Sequence, residues 1–226
     1  MIKEGDFVLL KGKLCKASGA VDIGKIISAD KIIGKEYGDE VEGVAIGCPR
    51  LDDFKARFRR GPQIMTEKDI GFIFAKTGLG KKDVVVEGGT GSGFLTCALA
   101  KVCKHVHSYD IERTSIRLGK RNSTFSGLEN ITFHNSSLYE EAEEADIYML
   151  DLPEPWRVPL NNLKAGGFLV SYLPTIDQVQ TLLENSKLRF EVVELIQRNW
   201  QAKRGRFRPE SSGLLHTGFL CFARKR

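Results

Sequence analysis

A glycine-rich segment is the part of this sequence with the clearest chemical meaning. Glu87 to Gly93 (Glu-Gly-Gly-Thr-Gly-Ser-Gly) follows the apolar run 84–86 and precedes apolar residues at helical spacing. Glycine allows a sharp turn and close approach to a bound molecule, and a helix start offers unpaired N–H groups. Asp110 ends the next predicted strand roughly 20 residues later, the distance at which an acid accepts hydrogen bonds from ribose hydroxyls. These features predict a site for a cofactor that contains ribose.

The glycine spacing separates two classes of cofactor. A dinucleotide fingerprint reads G-x-G-x-x-G, whereas these glycines follow a G-x-G-x-G pattern behind Glu87. A carboxylate at that position repels a pyrophosphate and suits a cofactor with a positive group and no phosphate, such as S-adenosylmethionine. The alternative interpretation is a tight turn that needs glycines and binds nothing.

A second acidic segment, Asp151-Leu-Pro-Glu-Pro-Trp156, follows the apolar run 145–150. Open α/β sheets build their sites at the carboxyl ends of their strands. An acid there can accept a hydrogen bond from the exocyclic amine of a nucleobase and stabilise the cation formed when a ring nitrogen is methylated. The residue types fit equally well an Asp151 that caps a helix and a Trp156 that packs in the core.

A basic segment surrounds Phe207, between two late strand-like runs where we expect an exposed loop. Cations beside an aromatic ring suit a phosphate backbone and a stacked base, although such runs also serve only solubility. The RNA-binding candidates, two of them from the connector before residue 61, are Arg59, Arg60, Lys203, Arg204, Arg206 and Arg208. The acidic stretch 140–144, by contrast, is expected to be a solvated helix end.

Composition limits the class of protein. The chain has 226 residues, of which 42% are hydrophobic and 28% charged, with a formal net charge of +5. It can therefore bury a core, and its positive excess permits nucleic-acid binding without requiring it. No apolar run approaches the roughly 18 residues of a membrane span, and the polar start of the chain does not resemble a signal peptide.

Cysteine and histidine usage indicates a reduced, cytoplasmic protein without a metal centre. The five cysteines are an odd number with no C-x-x-C pair, which argues against a disulfide framework and against a structural zinc site. The four histidines show no metal-ligand spacing, and His105 and His107 alternate along a predicted strand. We therefore expect the histidines to serve packing.

The elements that must position these residues change character near residue 60. Residues 1–60 contain short apolar runs broken by glycines, which predict a small all-β domain and a charged connector. Residues 61–226 alternate strands with helices, which predicts an α/β, doubly wound parallel sheet with helices on both faces. Two late strand-like runs, 190–196 and 214–223, predict an antiparallel edge. Helices are predicted at 67–77, 92–102, 112–125, 156–163 and 175–186.

Several segments together resemble the class I methyltransferases that modify N1 of adenine 58 in the T-loop of tRNA, particularly the archaeal and bacterial single-chain form. The Asp-Leu-Pro-x-Pro-Trp and His-Thr-Gly-Phe-Leu pieces are far more specific than the glycine loop. The matching segments, which span nearly the whole chain, are Ile33-Gly34-Lys35, Arg59 to Ile64, Lys68-Asp69, Glu87 to Gly93, Ser108 to Asp110, Leu150 to Trp156, Tyr172 to Pro174 and His216 to Leu220.

The resemblance implies a Rossmann-like catalytic domain that uses S-adenosylmethionine, a tRNA substrate and a homotetramer. It assigns Asp151 as the catalytic group that engages the adenine edge. The implied cofactor-binding residues are Gln63, Met65, Glu87, Gly89, Gly91, Ser92, Gly93, Phe94, Asp110, Ser136 and Asp151. Ser136 stands where relatives usually have an Asp, and Thr66 where they often have Tyr or His. The alternative functions are a small-molecule methyltransferase of the corrin-precursor type and a non-catalytic RNA-binding subunit.

Overall fold

The computed structural model describes residues 1–59, 64–203 and 205–226. The chain forms two compact units, Met1–Phe58 and Arg59–Arg226. Three predicted site residues, Arg60, Gln63 and Arg204, lie outside the described residues, and so does the side chain of Lys203. Within the described ranges, no helix combines the length and the apolar character needed to cross a membrane.

The first unit is built from short strands. In chain order they are β1 (Phe7–Leu10), β2 (Lys13–Lys16), β3 (Ala20–Asp22), β4 (Ile26–Ser28), β5 (Glu40–Val41) and β6 (Val44–Gly47), followed by the short helix α1 (Leu51–Lys55). One antiparallel sheet has the order β2-β1-β6-β5, and β3 pairs with β4 in a separate hairpin. Val8, Leu10, Ile27 and Ile46 are almost completely buried, so this unit has its own hydrophobic core. The predicted N-terminal β region is confirmed.

The second unit alternates strands and helices. Its elements are α2 (Glu67–Thr77), β7 (Val84–Gly88), α3 (Phe94–Ala100), β8 (His105–Tyr109), α4 (Arg113–Phe125), β9 (Ile131–His134), β10 (Ala145–Leu150), β11 (Leu163–Leu173), α5 (Ile176–Asn185), β12 (Phe190–Glu194), β13 (Gln197–Lys203), β14 (Arg206–Leu215) and β15 (Phe219–Arg224). Seven strands form one sheet in the order β12-β15-β11-β10-β7-β8-β9. The pairs from β11 to β9 are parallel, and β15 runs antiparallel to both of its neighbours. The predicted α/β sheet with an antiparallel edge is confirmed.

The central strand β10 shows that both faces of this sheet are covered. Successive residues of a strand point to opposite faces, yet Ile147, Tyr148, Met149 and Leu150 are each at most 4% exposed. Such a continuous apolar run is typical of a parallel strand buried on both sides. The chain leaves β7 towards β8 and later returns to β10 on the other side of β7. In such sheets the ligand crevice opens at this reversal, outside the carboxyl ends of the two strands.

Three local expectations were wrong. The predicted helix at 156–163 is a single 3₁₀ turn, Pro155–Arg157, because Val158 precedes Pro159 and is extended. The acidic stretch 140–144 is a turn and an irregular segment instead of a helix end, and in a helix the like charges of Glu140 and Glu144, four residues apart, would repel each other. The loop predicted at 203–208 is also wrong, because Lys203 is the last residue of β13 and Arg206 to Arg208 belong to β14, which pairs antiparallel with β13.

Candidate active site

The glycine loop is shaped by close contact between the ends of three strands. Gly89 has a φ of +92°, and a Cβ there would collide with the carbonyl oxygen of Asp151, so no other residue fits. The N–H of Gly89 donates to the carbonyl of Tyr109 (2.9 Å), and the N–H of Asp151 donates to the carbonyl of Gly88 (2.9 Å). The backbone therefore fixes the loop, the end of β8 and Asp151 relative to one another.

A cleft of about 330 Å³ opens over this loop. Its walls contain these predicted cofactor residues: Met65, Gly89, Gly91, Ser92, Phe94, Asp110 and Asp151. Sequence reasoning missed the other lining residues, which are Ile64, Thr90, Leu95, Glu112 and Ser115. Glu112 and Ser115 could have been found, because they occupy the start of the helix that directly follows Asp110.

Asp110 is held by the backbone on both sides. One carboxylate oxygen accepts from the N–H of Gly91 (3.1 Å) and the other from the N–H of Glu112 (2.8 Å). Each oxygen of a carboxylate can accept a second hydrogen bond. Asp110 is thus oriented by the protein and retains capacity for a pair of ligand hydroxyls.

Glu87 lies beneath the loop and is completely buried. Its Oε2 accepts hydrogen bonds from the hydroxyls of Thr96 (2.6 Å) and Ser108 (2.6 Å). Its Oε1 has no partner among the described residues. Burial raises the pKa of Glu87 to about 8, with smaller increases from the charges of Asp151 and Asp110, although the two hydrogen bonds act in the opposite direction.

Asp151 follows the last residue of β10 and lines the cleft. Its side chain stays open to solvent, but the surrounding protein removes enough water to raise its pKa to about 6. It does not cap a helix, since Glu154 precedes the 3₁₀ turn. Trp156 packs beside the buried cluster of Leu173 and Leu182. The structure therefore separates the two residues: Trp156 supports the core, and Asp151 faces the cleft.

Besides the buried Glu87, two described residues of the predicted cofactor set do not line the cleft. Gly93, with a φ of +76°, is the N-cap residue of α3. A Cβ at this position would lie 2.7 Å from the Cα of Gly119. Its role in this structure is to let α3 approach α4. Ser136 instead lines a different cavity, together with Tyr109, His134 and acidic residues.

A buried polar network at the start of α2 was also missed from the sequence. Asp69 is 1% exposed. Its carboxylate accepts from Lys68 Nζ (2.7 Å), Thr66 Oγ1 (2.7 Å) and Thr217 Oγ1 (2.7 Å). The phenol of Tyr172 donates to the carbonyl of Thr217. The network ties the segment that enters the cleft to the carboxyl end of β11, and Thr66 acts here as a support for Asp69.

The β13–β14 ribbon has one aromatic and one basic face. The rings of Trp200 and Phe207 stack with centroids 4.8 Å apart, and the two side chains are 47% and 72% exposed. Arg206 and Arg208 flank Phe207 in the strand and point to the opposite face, where they are exposed. Arg59 is also exposed, and its N–H donates to Asn122 Oδ1 (3.4 Å). Among the described residues, these are the cations that sequence analysis assigned to RNA.

The cleft fits a positively charged, ribose-containing cofactor. Its described lining includes the carboxylates of Asp110, Glu112 and Asp151 and no basic residue, which disfavours a pyrophosphate. Glycine at position 89 leaves space for a group that lies against the backbone. The unpartnered Oε1 of Glu87 is a buried polar atom beneath the same loop. These observations agree with S-adenosylmethionine as the group to be held.

Comparison with known proteins gives consistent matches. Residues 54–214 match the family described as tRNA methyltransferase complex GCD14 subunit. The chain is 31% identical over 216 residues to the tRNA (adenine(57)-N(1)/adenine(58)-N(1))-methyltransferase TrmI of Methanocaldococcus jannaschii, covering 78% of this chain and 76% of that protein. It is 34% identical over 198 residues to the tRNA (adenine(58)-N(1))-methyltransferase TrmI of Thermus thermophilus, covering 81% and 78%.

A solved structure agrees with these relatives. The tRNA (m1A58) methyltransferase TrmI from Aquifex aeolicus matches with a TM-score of 0.77 and 30% identity, over 100% of this chain and 98% of that chain. The resemblance found in the sequence is thereby confirmed, and the glycine loop and Asp151 both lie within the matched region 54–214. This chain belongs to the family of the tRNA methyltransferase complex GCD14 subunit.

Proposed function

We propose that this protein transfers a methyl group from S-adenosylmethionine to N1 of adenine 58 in the T-loop of tRNA. The observation that carries the proposal is the position of Asp151, at the reversal point of the sheet and across from the glycine loop in an acid-lined cleft. Family membership supports tRNA as the substrate, and the similar proteins from M. jannaschii and T. thermophilus carry this activity in their names.

The cofactor side of the cleft is formed by the glycine loop and Asp110, with Glu87 buried beneath the loop. When bound, S-adenosylmethionine supplies an electrophilic methyl group on a sulfonium cation. Asp110 accepts hydrogen bonds from the ribose hydroxyls with the capacity that its two backbone contacts leave free. Met65 and Phe94 provide apolar walls. The acidic lining favours the positive charge and excludes phosphate-rich cofactors.

Asp151 acts on the base. Its carboxylate accepts a hydrogen bond from the exocyclic amine of adenine and so orients N1. As N1 gains a methyl group the ring becomes cationic, and a fixed carboxylate at hydrogen-bond distance stabilises that charge as it develops. A pKa of about 6 leaves Asp151 mainly ionised at neutral pH. Because the cleft is narrow, the target base must leave the stacked tRNA structure to enter it.

The exposed cations hold the RNA around this cleft. The exposure of Arg59, Arg206 and Arg208 supports contacts with phosphates, and the stacked, exposed rings of Phe207 and Trp200 support stacking of a base. The remaining members of the proposed set, Arg60, Lys203 and Arg204, extend the same basic segments of the sequence.

We further propose a homotetramer, which the resemblance to the single-chain enzymes implies. Light scattering coupled to gel filtration tests the assembly directly. A mass close to four times 25.2 kDa supports it, and a monomeric mass at assay concentrations overturns it.

Methyl transfer to an unmodified tRNA transcript tests the function. We expect one methyl group per transcript, mapped to N1 of adenine 58 by nucleoside analysis and reverse-transcription arrest. A matched transcript with guanine at position 58 should accept none. Transfer to another atom, or transfer to both transcripts, contradicts the proposal. Binding of S-adenosylmethionine without any methyl transfer to tRNA would instead support a small-molecule substrate. If the protein does not bind S-adenosylmethionine, a non-catalytic RNA-binding subunit is supported.

A further inference from the structure

Three side chains outside the active site converge on the outer strands of the sheet. His107 on β8 and His134 on β9 are diagonal neighbours, since His107 is in register with Thr132 and Tyr109 with His134. His107 Nδ1 and His134 Nε2 are 3.2 Å apart. A carboxylate oxygen of Glu143, from the segment before β10, completes a group in which all three atoms lie within 4.8 Å of one another.

The separation of the two nitrogens matches coordination of a single metal ion. Zinc binds imidazole nitrogen at about 2.0–2.1 Å in tetrahedral sites, which places two ligand nitrogens about 3.3 Å apart. A direct hydrogen bond between the rings has the same length, so the third group distinguishes the two interpretations. Glu143 is exposed, and rotation of its flexible side chain can bring an oxygen to ligand distance from a shared ion.

The His134 ring and the backbone that carries Glu143 are held by their surroundings. The ring of Tyr109 stacks on that of His134, with centroids 4.2 Å apart and planes 7° from parallel. The phenol of Tyr148 donates to the carbonyl of Glu143 (3.0 Å). Asn162 donates to the carbonyl of the preceding Ala142 (2.7 Å). The backbone that carries the carboxylate is therefore anchored on both sides, which lowers the cost of organising a metal site.

The adjoining cavity favours a cation and admits water. It measures about 360 Å³, and its described lining contains Glu140, Glu141 and Glu143 and neither Lys nor Arg. Carboxylates at this density attract divalent ions. The open cavity also leaves room for a water molecule as a fourth ligand.

We propose that His107, His134 and Glu143 bind one Zn²⁺ ion, with water completing the coordination. Two imidazoles and one carboxylate form a donor set suited to zinc and poorly suited to Mg²⁺ or Ca²⁺, which prefer oxygen alone. The ion would tie the acidic segment 140–144 to strands β8 and β9. Spacing along the chain does not reveal this group, because its members come from two strands and a separate segment. The site is independent of methyl transfer.

Zinc titration of the full-length reduced protein tests the proposal. We expect one equivalent of Zn²⁺ to bind in competition with a chromogenic chelator and to raise the melting temperature. The variants H107N, H134N and E143Q should each bind at least about tenfold more weakly. H105N is the matched control: its ring lies 4.7 Å from that of His107 but contacts Thr132, and binding should be unchanged.

Further measurements distinguish zinc binding at this site from zinc binding by a cysteine thiol and from loss of binding through misfolding. The variant C48S removes the exposed thiol and should retain binding, and Co²⁺ should give the visible absorption of a site without thiolate ligands. E143Q changes only an exposed side chain and keeps the test valid if a histidine variant misfolds. Absence of binding, equal binding by E143Q and the wild type, or equal loss in H105N would overturn the proposal.

Discussion

The cofactor cleft and the β13–β14 ribbon place functional residues in opposite physical settings. In the cleft, Gly89 and Asp110 are fixed by backbone hydrogen bonds, and Glu87 is fully buried. On the ribbon, Phe207 is 72% exposed, and its ring stacks on that of Trp200. Charges in the cleft are only partly screened by water, whereas charges on the ribbon are strongly screened.

This difference predicts two kinds of mutational effect. A change in the cleft alters a preorganised environment, so it should lower the rate of the chemical step steeply. A change on the ribbon removes one contact of many with a large substrate, so it should weaken tRNA binding modestly and leave the chemical step intact. Four changes test this contrast, and the first has the largest expected effect on the reaction and the last the smallest.

Asp151→Asn should have the largest effect. The amide keeps the size of the side chain but cannot offset the positive charge on the methylated adenine. We expect kcat to fall at least about 100-fold, or roughly 2.7 kcal/mol, while the Kd for S-adenosylmethionine changes less than about threefold. Single-turnover rates and calorimetry measure the two quantities.

The pH dependence provides the control for this variant. Asp151 has a raised pKa of about 6 and must be ionised to act, so wild-type kcat/KM should fall about tenfold per pH unit below 6. The Asn variant should show no such decline. A loss of cofactor affinity equal to the loss of rate would mean that Asp151 belongs to the cofactor site and not to the base site.

Glu87→Gln should change how stability depends on pH. The raised pKa of about 8 means that folded Glu87 retains a proton that the unfolded chain releases above its ordinary pKa of 4.5. Wild-type stability should therefore decrease as pH rises from about 5 to 8, by up to about 1.4 kcal/mol per pH unit from this group. The neutral amide removes that dependence. Urea denaturation of both proteins across this range measures it.

The test for Glu87 compares the free energy of unfolding as a function of pH in the wild type and in the Gln variant. The free energies of unfolding of the variant and the wild type should be similar near pH 5 and diverge in favour of the variant towards pH 8. Parallel curves would show that Glu87 titrates normally and that the buried carboxylate is already ionised at neutral pH.

Phe207→Ala should have an intermediate effect, confined to substrate binding. Stacking of a base on an aromatic side chain contributes about 1–3 kcal/mol, so the KM for tRNA should rise about fivefold or more. The value of kcat and the Kd for S-adenosylmethionine should not change. Leu183→Ala, at an apolar residue of α5 that is 45% exposed, is the matched control. An equal rise in KM for both variants would exclude a specific stacking role.

The sequence predicted the cleft well because its signals are local. Helix α2 is observed at Glu67–Thr77 as predicted and ends at Gly78, whose φ is +69°, because a left-handed residue there stops the helix. The glycine loop and Asp110 likewise belong to one continuous strand–helix–strand unit. Local chemistry specifies such units almost completely, so their residues can be placed without knowing the rest of the fold.

Features that join distant segments could not be predicted in the same way. The contact of Asp69 with Thr217 spans 148 residues, and no spacing rule indicates it. The sequence indicates a loop at 203–208 and does not reveal β13 and β14, because residues on both faces of the ribbon, such as Trp200 on one and Arg208 on the other, are exposed. Neither face shows the burial-driven alternation by which strands are recognised. In solvent-exposed ribbons of this kind, the alternation of apolar and polar residues is too weak to predict the strands.

The paired change Arg206→Ala and Arg208→Ala should have the smallest effect and the strongest dependence on salt. Each arginine that contacts a phosphate contributes about one unit to the slope of log K against log salt, so the slope should fall by about two. Near physiological salt we expect tRNA affinity to fall only about threefold, with unchanged single-turnover rates at saturating tRNA. Filter binding at several salt concentrations measures the slope. Lys81→Ala with Lys82→Ala removes the same charge from exposed positions that precede the amino end of β7, outside the ribbon, and should leave the slope unaltered. Equal losses in both pairs would show that total charge, and not its position on the ribbon, governs tRNA binding.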